Sequence, residues 1–242
     1  MKPMPAPRNV RAPSQVVNVH LLVNVLAGML LFAATISGTM IAGAAAEAGK
    51  PVHIVAFGDS LTSGYGLRQS QAFPVQLQKA LRARGHNVTI SNAGIAGDTT
   101  AAGLARFDWA IGDDADAVIL EFGANDALRG IDPKVTRDNL QKILAKLQAR
   151  GIPVLLTGMR SPANWGDTYA DDFDGIFPAL AKEHALMFYP FFLDGVVLNS
   201  KLNQGDGMHP NVKGVAEIVR QIVPKVEELI TKAQARRAVP KS

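Results

Sequence analysis

Val52-His-Ile-Val-Ala-Phe-Gly-Asp-Ser60 is the stretch on which the architecture turns. Val52 to Phe57 is a short run rich in branched and apolar side chains, cut off by Gly58-Asp59. Such a run, bounded by turn residues, reads as a buried strand. Working outward, Phe73 to Arg84 carries apolar residues at helical spacing, and Gly85 supplies a C-terminal stop. Asn87–Ser91 reads as a second strand, Thr99–Ala110 as a weaker helix and Ala115–Glu121 as a third strand. Asp132-Pro133 opens a helix as cap and first turn, and Gly151 closes it after Arg150. Ile152–Thr157 reads as a fourth strand, Tyr169–His184 as a helix and Leu186–Tyr189 as a fifth strand. A last helix places Val212, Val215, Ala216, Val219, Ile222, Val223 and Val226 on one stripe, with a kink expected at Pro224. Most of the strands are near-continuously apolar, as they must be when both sheet faces are covered. The alternation predicts one doubly wound α/β domain with a five-stranded parallel sheet. Ligands of such sheets bind at the carboxyl ends of the strands, so the loops there are where chemistry is sought.

The composition of the 242 residues fits a globular chain, with 48% apolar and 19% charged side chains. Cysteine is absent, which excludes disulfides, thiolate metal sites and cysteine nucleophiles. The net charge of +4 is placed unevenly. Lys2, Arg8 and Arg11 face no acid in the first 46 residues, leaving 22 of the 25 basic residues against 21 acidic ones elsewhere. That near-balance argues against a nucleic-acid partner. Ala12 to Ala46 holds no Asp, Glu, Lys or Arg, its apolar centre includes Met29-Leu-Leu-Phe32, and it ends on Ala44-Ala-Ala46. A basic start, an apolar middle and a small-residue end form the order of a secretory signal. Residues 1–46 are therefore expected to be a signal peptide, with 47–242 as a single exported domain, periplasmic or secreted, that keeps no stable membrane span. The stretch is also long enough to serve as an uncleaved anchor.

Three strand ends and the segment before the last helix hold the candidate chemistry. Ser60 sits in a tight strand-to-helix turn that can expose its hydroxyl and aim backbone N–H groups at one point, although Gly, Asp and Ser are also ordinary turn residues. Asn92-Ala-Gly-Ile-Ala-Gly97 follows the second strand, and Gly97 allows close approach of backbone to a ligand. Asn125, after the third strand, presents an amide that can donate to a developing oxyanion, or forms an Asx turn. Near the C-terminus, Asp206 and His209 are three apart, a spacing at which a carboxylate can hold one imidazole nitrogen and leave the other facing out. A metal half-site and a plain loop histidine are the competing readings. His20, His53, His86 and His184 lie in no comparable cluster, and zinc would want more ligands.

Taken together, these blocks resemble the SGNH (GDSL-type) hydrolase family. Gly58-Asp-Ser-Leu61 resembles its nucleophile block, Gly97 stands at its oxyanion glycine, Gly123-x-Asn125-Asp126 resembles its asparagine block and Asp206-x-x-His209-Pro210 its final block. The likeness is closest to the bacterial periplasmic branch that acts as acyl-CoA thioesterase, lysophospholipase and arylesterase, through Asn125-Asp-Ala-Leu-Arg-Gly130 and Arg160-Ser-Pro-Ala-Asn164. One departure is Ala124, where many relatives have glycine. No Gly-x-Ser-x-Gly elbow occurs, which disfavours the ordinary α/β-hydrolases.

The resemblance implies a three-layer α/β/α sandwich of flavodoxin-like type and a serine hydrolase cleaving carboxylic esters and thioesters. It makes Ser60 the nucleophile, His209 the base and Asp206 its orienter. The oxyanion hole falls to the N–H groups of Ser60 and Gly97 and to the Asn125 amide. No metal and no cofactor is required, the substrate is a small-molecule acyl ester, thioester or lysophospholipid, and a monomer is expected. Activity is expected to fall as His209 gains a proton in acid. Met159, Pro162, Trp165 and Tyr169, with Phe191 and Phe192, are candidates to line an acyl groove, or else pack as core under the loops. A carbohydrate O-acetylesterase on the same fold, and a binding module without activity, are the alternatives.

Overall fold

The computed structural model describes residues 49–238. The expected signal peptide, residues 1–46, lies outside them. One compact unit runs from Lys50 onward. Its five strands are β1 (Val52–Gly58), β2 (Val88–Gly94), β3 (Ala117–Glu121), β4 (Val154–Thr157) and β5 (Met187–Tyr189). All neighbours are parallel, in the order β2-β1-β3-β4-β5. This is the expected parallel sheet, in the flavodoxin-like order. Every residue of β3 and β4 is buried, so both faces of the sheet must be covered. The helices fall into two groups. The first comprises α2 (Phe73–Ala83) and α9 (Val212–Ala238), packed on each other. The second includes α3 (Thr100–Ala105), α6 (Pro133–Ala149), α7 (Asp167–Asp174) and α8 (Ile176–Glu183). Two short helices, α1 (Ser60–Ser63) and α5 (Ala124–Leu128), sit directly at strand ends, and α4 (Phe107–Ala110) follows α3. Among the described residues no helix is long and apolar enough to cross a membrane.

Several elements differ from the sequence reading. The helix expected over Thr99–Ala110 is broken at Arg106 into α3 and α4, because Arg106 leaves helical geometry (φ −102°, ψ 9°). Its guanidinium is committed to Asp98 Oδ2 (2.6 Å) and to the Gly58 carbonyl (2.9 Å). The helix expected over Tyr169–His184 begins at Asp167 and divides at Gly175 into α7 and α8. Strand β2 continues beyond Ser91 to Gly94, and pairing with β1 persists to Gly58↔Gly94. Asn92 to Gly94, which reads as loop, is thus held in extended form by its neighbour. Helix α9 runs without interruption through Pro224 to Ala238, and its buried stripe continues past Val226 through Leu229, Ile230 and Ala233.

Beneath the carboxyl edge the core is aromatic. Phe57 is fully buried and meets Phe107 and Phe122 edge-on at 6.2 and 4.9 Å. The Arg106 guanidinium covers its ring at 4.6 Å, so one side chain supports both the core and the loop above it. Phe57→Ala is expected to cost about 3–5 kcal/mol of unfolding free energy, the usual penalty for emptying an aromatic site that cannot collapse. Urea denaturation of the two proteins measures it, and a loss below about 1 kcal/mol contradicts this account of the core.

Candidate active site

In the order β2-β1-β3, successive chain connections leave in opposite directions from β1 and β3, and a crevice opens at their carboxyl ends. Ser60 follows β1 and Asn125 follows β3, so both stand at this switch point. The turn after β1 is tight because Gly58 has no side chain. A Cβ there would lie 2.3 Å from Thr62 Oγ1 and 2.6 Å from Glu121 Oε2. Asp59 then caps α1, its Oδ1 accepting the Leu61 N–H at 3.0 Å. Ser60 becomes the first helical residue, only 8% exposed, and its own N–H has no partner within the helix.

The third block arrives from far along the chain. Asn203 and Pro210 form an isolated antiparallel bridge, and Gln204 N–H donates to the His209 carbonyl at 2.8 Å. Inside this small loop, Asp206 Oδ1 accepts the N–H groups of Met208 and His209. Asp206 Oδ2 accepts His209 Nδ1–H at 2.6 Å. A proton held on Nδ1 leaves Nε2 as an acceptor, and the Ser60 hydroxyl is 2.9 Å from it. Donation from His209 and two backbone N–H groups holds Asp206 down at about 2, so it stays ionised through all ordinary pH values. The loop is tied to the serine turn by Gln204 Nε2, which donates to the Tyr65 carbonyl at 2.7 Å. The Tyr65 ring packs on the His209 ring at 4.8 Å.

Gly97 and Asn125 come from two further segments. Gly97 adopts φ +86°, a conformation that favours glycine. Its carbonyl accepts from Arg129 at 2.8 Å. Asn125 lies in α5 rather than in a free Asx turn, and its Nδ2 donates to Asp59 Oδ2 (3.1 Å) and to the Asp98 carbonyl (3.0 Å). Both amide hydrogens therefore have protein acceptors, and an arriving oxyanion competes with them. Asp126, one residue on, is buried and receives the Thr100 N–H, the Thr100 hydroxyl and the Thr136 hydroxyl, which joins α3, α5 and α6 behind the site.

Ser60, His209 and Asp206 thus meet in one hydrogen-bonded series, and Asn125 is joined to Ser60's turn through Asp59. The groove candidates divide. Met159 and Phe192 belong to the buried core, and Phe191 is nearly as covered, under Arg160 at 4.8 Å. Trp165 is exposed and reaches back to the Ala127 carbonyl through Nε1 (2.7 Å), while Tyr169 donates to the Ile131 carbonyl (2.8 Å), so both flank the Asn125 segment. Pro162 is half-buried. Asp59, Arg106, Gln204 and Glu121 escaped the sequence reading. The first two look like a turn residue and a helix surface cation, and no local pattern marks the others. Among the described residues no three His, Asp or Glu side chains gather as a metal set.

A hydroxyl, an imidazole and a carboxylate in series at the edge of a parallel sheet, with amide donors beside them, define an acyl-transfer enzyme. The chain belongs to the GDSL-like Lipase/Acylhydrolase family, whose sequence model matches residues 56–216. It is 38% identical over 176 residues to an arylesterase of Vibrio mimicus, covering 71% of this chain and 88% of that one. It is also 38% identical over 159 residues to thioesterase 1/protease 1/lysophospholipase L1 of Escherichia coli K12, covering 65% of this chain and 75% of the relative. Among solved structures, AlinE4, an SGNH-hydrolase family esterase, aligns with a TM-score of 0.63 and 45% identity, over 74% of this chain and 97% of that one.

One buried acid near the site has a measurable consequence. Burial raises Glu121 from its ordinary value to about 7. Between about pH 4.5 and about pH 7 the folded protein keeps a proton that the unfolded chain releases, so this group lowers stability as pH rises through that window. Urea midpoints measured near pH 5 and near pH 7.5 are expected to fall more for the wild type than for Glu121→Gln. Equal falls would remove Glu121 as the cause.

Proposed function

We propose that the chain is an exported serine esterase that hydrolyses carboxylic esters and thioesters with apolar acyl or aryl groups. As the Ser60 Oγ–C bond forms, the hydroxyl proton passes to His209 Nε2, and Asp206 stabilises the imidazolium. The carbonyl oxygen becomes an oxyanion held by the N–H groups of Ser60 and Gly97 and by one hydrogen of Asn125 Nδ2 released from its protein acceptors. Collapse breaks the ester or thioester bond, and the leaving alcohol or thiol takes the proton from His209. Water then attacks the acyl-serine and gives a proton to His209, which returns it to Ser60 Oγ as the Oγ–C bond breaks and the carboxylic acid leaves. The observation that carries this reading is the unbroken contact from Asp206 through His209 to Ser60, at 2.6 and 2.9 Å.

The apolar preference rests on the surface beside those residues. Tyr65, Ile95, Leu128, Trp165 and Met208 are large apolar side chains left exposed on the segments that carry the site residues. A polar acetyl-sugar would leave this rim unused, whereas each buried methylene of an acyl chain contributes about 0.8 kcal/mol. The relatives' names as arylesterase and thioesterase/lysophospholipase agree with such substrates. Residues 1–46 direct the chain out of the cytoplasm on this reading, and the exported enzyme meets lysophospholipid or exogenous ester more readily than cytosolic acyl-CoA.

Ser60→Ala is expected to abolish burst-phase acylation with p-nitrophenyl esters, and Asn125→Ala to slow turnover by roughly 10²–10³, the cost of one oxyanion donor. Wild-type turnover in Ser60→Ala refutes the nucleophile. In an acyl series, kcat/KM is expected to rise about tenfold or more from acetyl to octanoyl p-nitrophenyl esters. A preference for acetyl would favour the carbohydrate O-acetylesterase instead.

A further inference from the structure

Glu121 is the last residue of β3 and is wholly buried, with no role in the steps above. Its carboxyl occupies the space that the missing Gly58 side chain leaves, directly beneath the Gly58–Asp59 turn. Glu121 Oε2 accepts the Thr62 hydroxyl at 2.8 Å and, more weakly, the Asp59 N–H at 3.4 Å. Oε1 is buried and receives no hydrogen bond. Asp59 is equally buried, and each of its oxygens accepts an N–H: Oδ1 from Leu61 and Oδ2 from Asn125 Nδ2. No cation forms an ion pair with either carboxyl among the described residues. The guanidinium of Arg106 bonds Asp98 and the Gly58 carbonyl, and its buried Nη1 has no hydrogen-bond partner.

Two adjacent carboxyls buried without a cation cannot both ionise, so one proton stays. Asp59 accepts two N–H groups, Glu121 Oε2 accepts the Thr62 hydroxyl and the Asp59 N–H, and Glu121 Oε1 accepts none, so the two carboxyls share the one proton between them. We propose that Glu121 is a positioning residue: sharing one proton with Asp59, it holds the Asp59 carboxyl where that carboxyl grips the Asn125 amide and caps the Ser60 turn. Burial pushes both carboxyls above the ordinary range, and the neighbouring Glu121 pushes Asp59 up further, in keeping with a proton retained by the pair. Glu121 touches no substrate. It acts two contacts away, through Asp59, on one oxyanion donor and on the backbone of the nucleophile. The inference rests on the proposed roles of Ser60 and Asn125.

The test measures kcat and KM with p-nitrophenyl butyrate for Glu121→Leu, Glu121→Gln, Asn125→Ala and the Glu121→Leu/Asn125→Ala double variant, with Ser60→Ala as the reference for the site itself. Glu121→Leu is expected to lower kcat about 10- to 100-fold, the scale of a displaced catalytic donor, with KM within about threefold. Glu121→Gln keeps an N–H donor toward Asp59 and recovers most of kcat. In the Asn125→Ala background the leucine substitution adds little, since both act on one donor. If Glu121→Leu does not accumulate as folded protein, Glu121→Asp, one methylene too short to reach Asp59, is read in the same way. Wild-type kcat in these variants, an effect confined to KM, a glutamine variant as slow as the leucine one, or full additivity with Asn125→Ala overturns the inference. Turnover persisting in Ser60→Ala overturns the reading of the site instead, so the two failures are distinguishable.

Discussion

Asp59 has no contact with solvent, yet its carboxyl faces two turns at once. One oxygen takes the first N–H inside α1, which shapes the turn carrying Ser60, and the other takes Nδ2 of Asn125, from the turn after β3. A buried carboxylate left without donors costs several kcal/mol, so these bonds are obligatory once the sheet forms. They in turn require β1 and β3 to end level, which their parallel register secures at Gly58↔Glu121. The position of the serine and that of the amide are thus not independent. A shift of one strand against the other would unpair a buried carboxyl.

The histidine loop is held by a different kind of constraint. It lies 149 residues beyond Ser60 and is more exposed than the strands. Its shape is internal, since Asp206 collects two backbone N–H groups and the imidazole within four residues. Its place is set by contacts to its neighbours: Gln204 on the Tyr65 carbonyl, the Tyr65 ring on His209, and the base of α9, where Asn211 accepts the N–H groups of Lys213 and Gly214. A locally complete loop docked on a rigid sheet edge brings an imidazole to a hydroxyl with few long-range contacts.

The strands and the parallel architecture were legible because a strand buried on both faces must be apolar along its whole length, and no other element has that pattern at such short length. Breaks within helices were not. Arg106 and Gly175 interrupt helices whose local propensity continues, and at Arg106 the cause is a guanidinium recruited by Asp98 and a carbonyl forty-eight residues away. The extension of β2 to Gly94 has the same origin, since Asn92-Ala-Gly is an edge segment made extended by β1. In the site, Ser60, Gly97, Asn125, Asp206 and His209 stood out because each lies in a glycine-rich turn at a strand or helix boundary. Asp59, Glu121, Arg106 and Gln204 did not, because what they do depends on which buried atoms face them.

The order of residues alone determined the doubly wound α/β class, the five strands, the family likeness and the short list of polar groups at the strand ends. Those features are written in local chemistry: burial demands apolar runs, and turns demand glycine and capping side chains. Tertiary structure alone decided that the hydroxyl and imidazole come to 2.9 Å, that the Asn125 amide is held by Asp59, and that a second buried acid lies beneath both. Those are relations between atoms far apart in the chain. Hydrogen-bond geometry and the cost of burying charge act only after the sheet has brought them together.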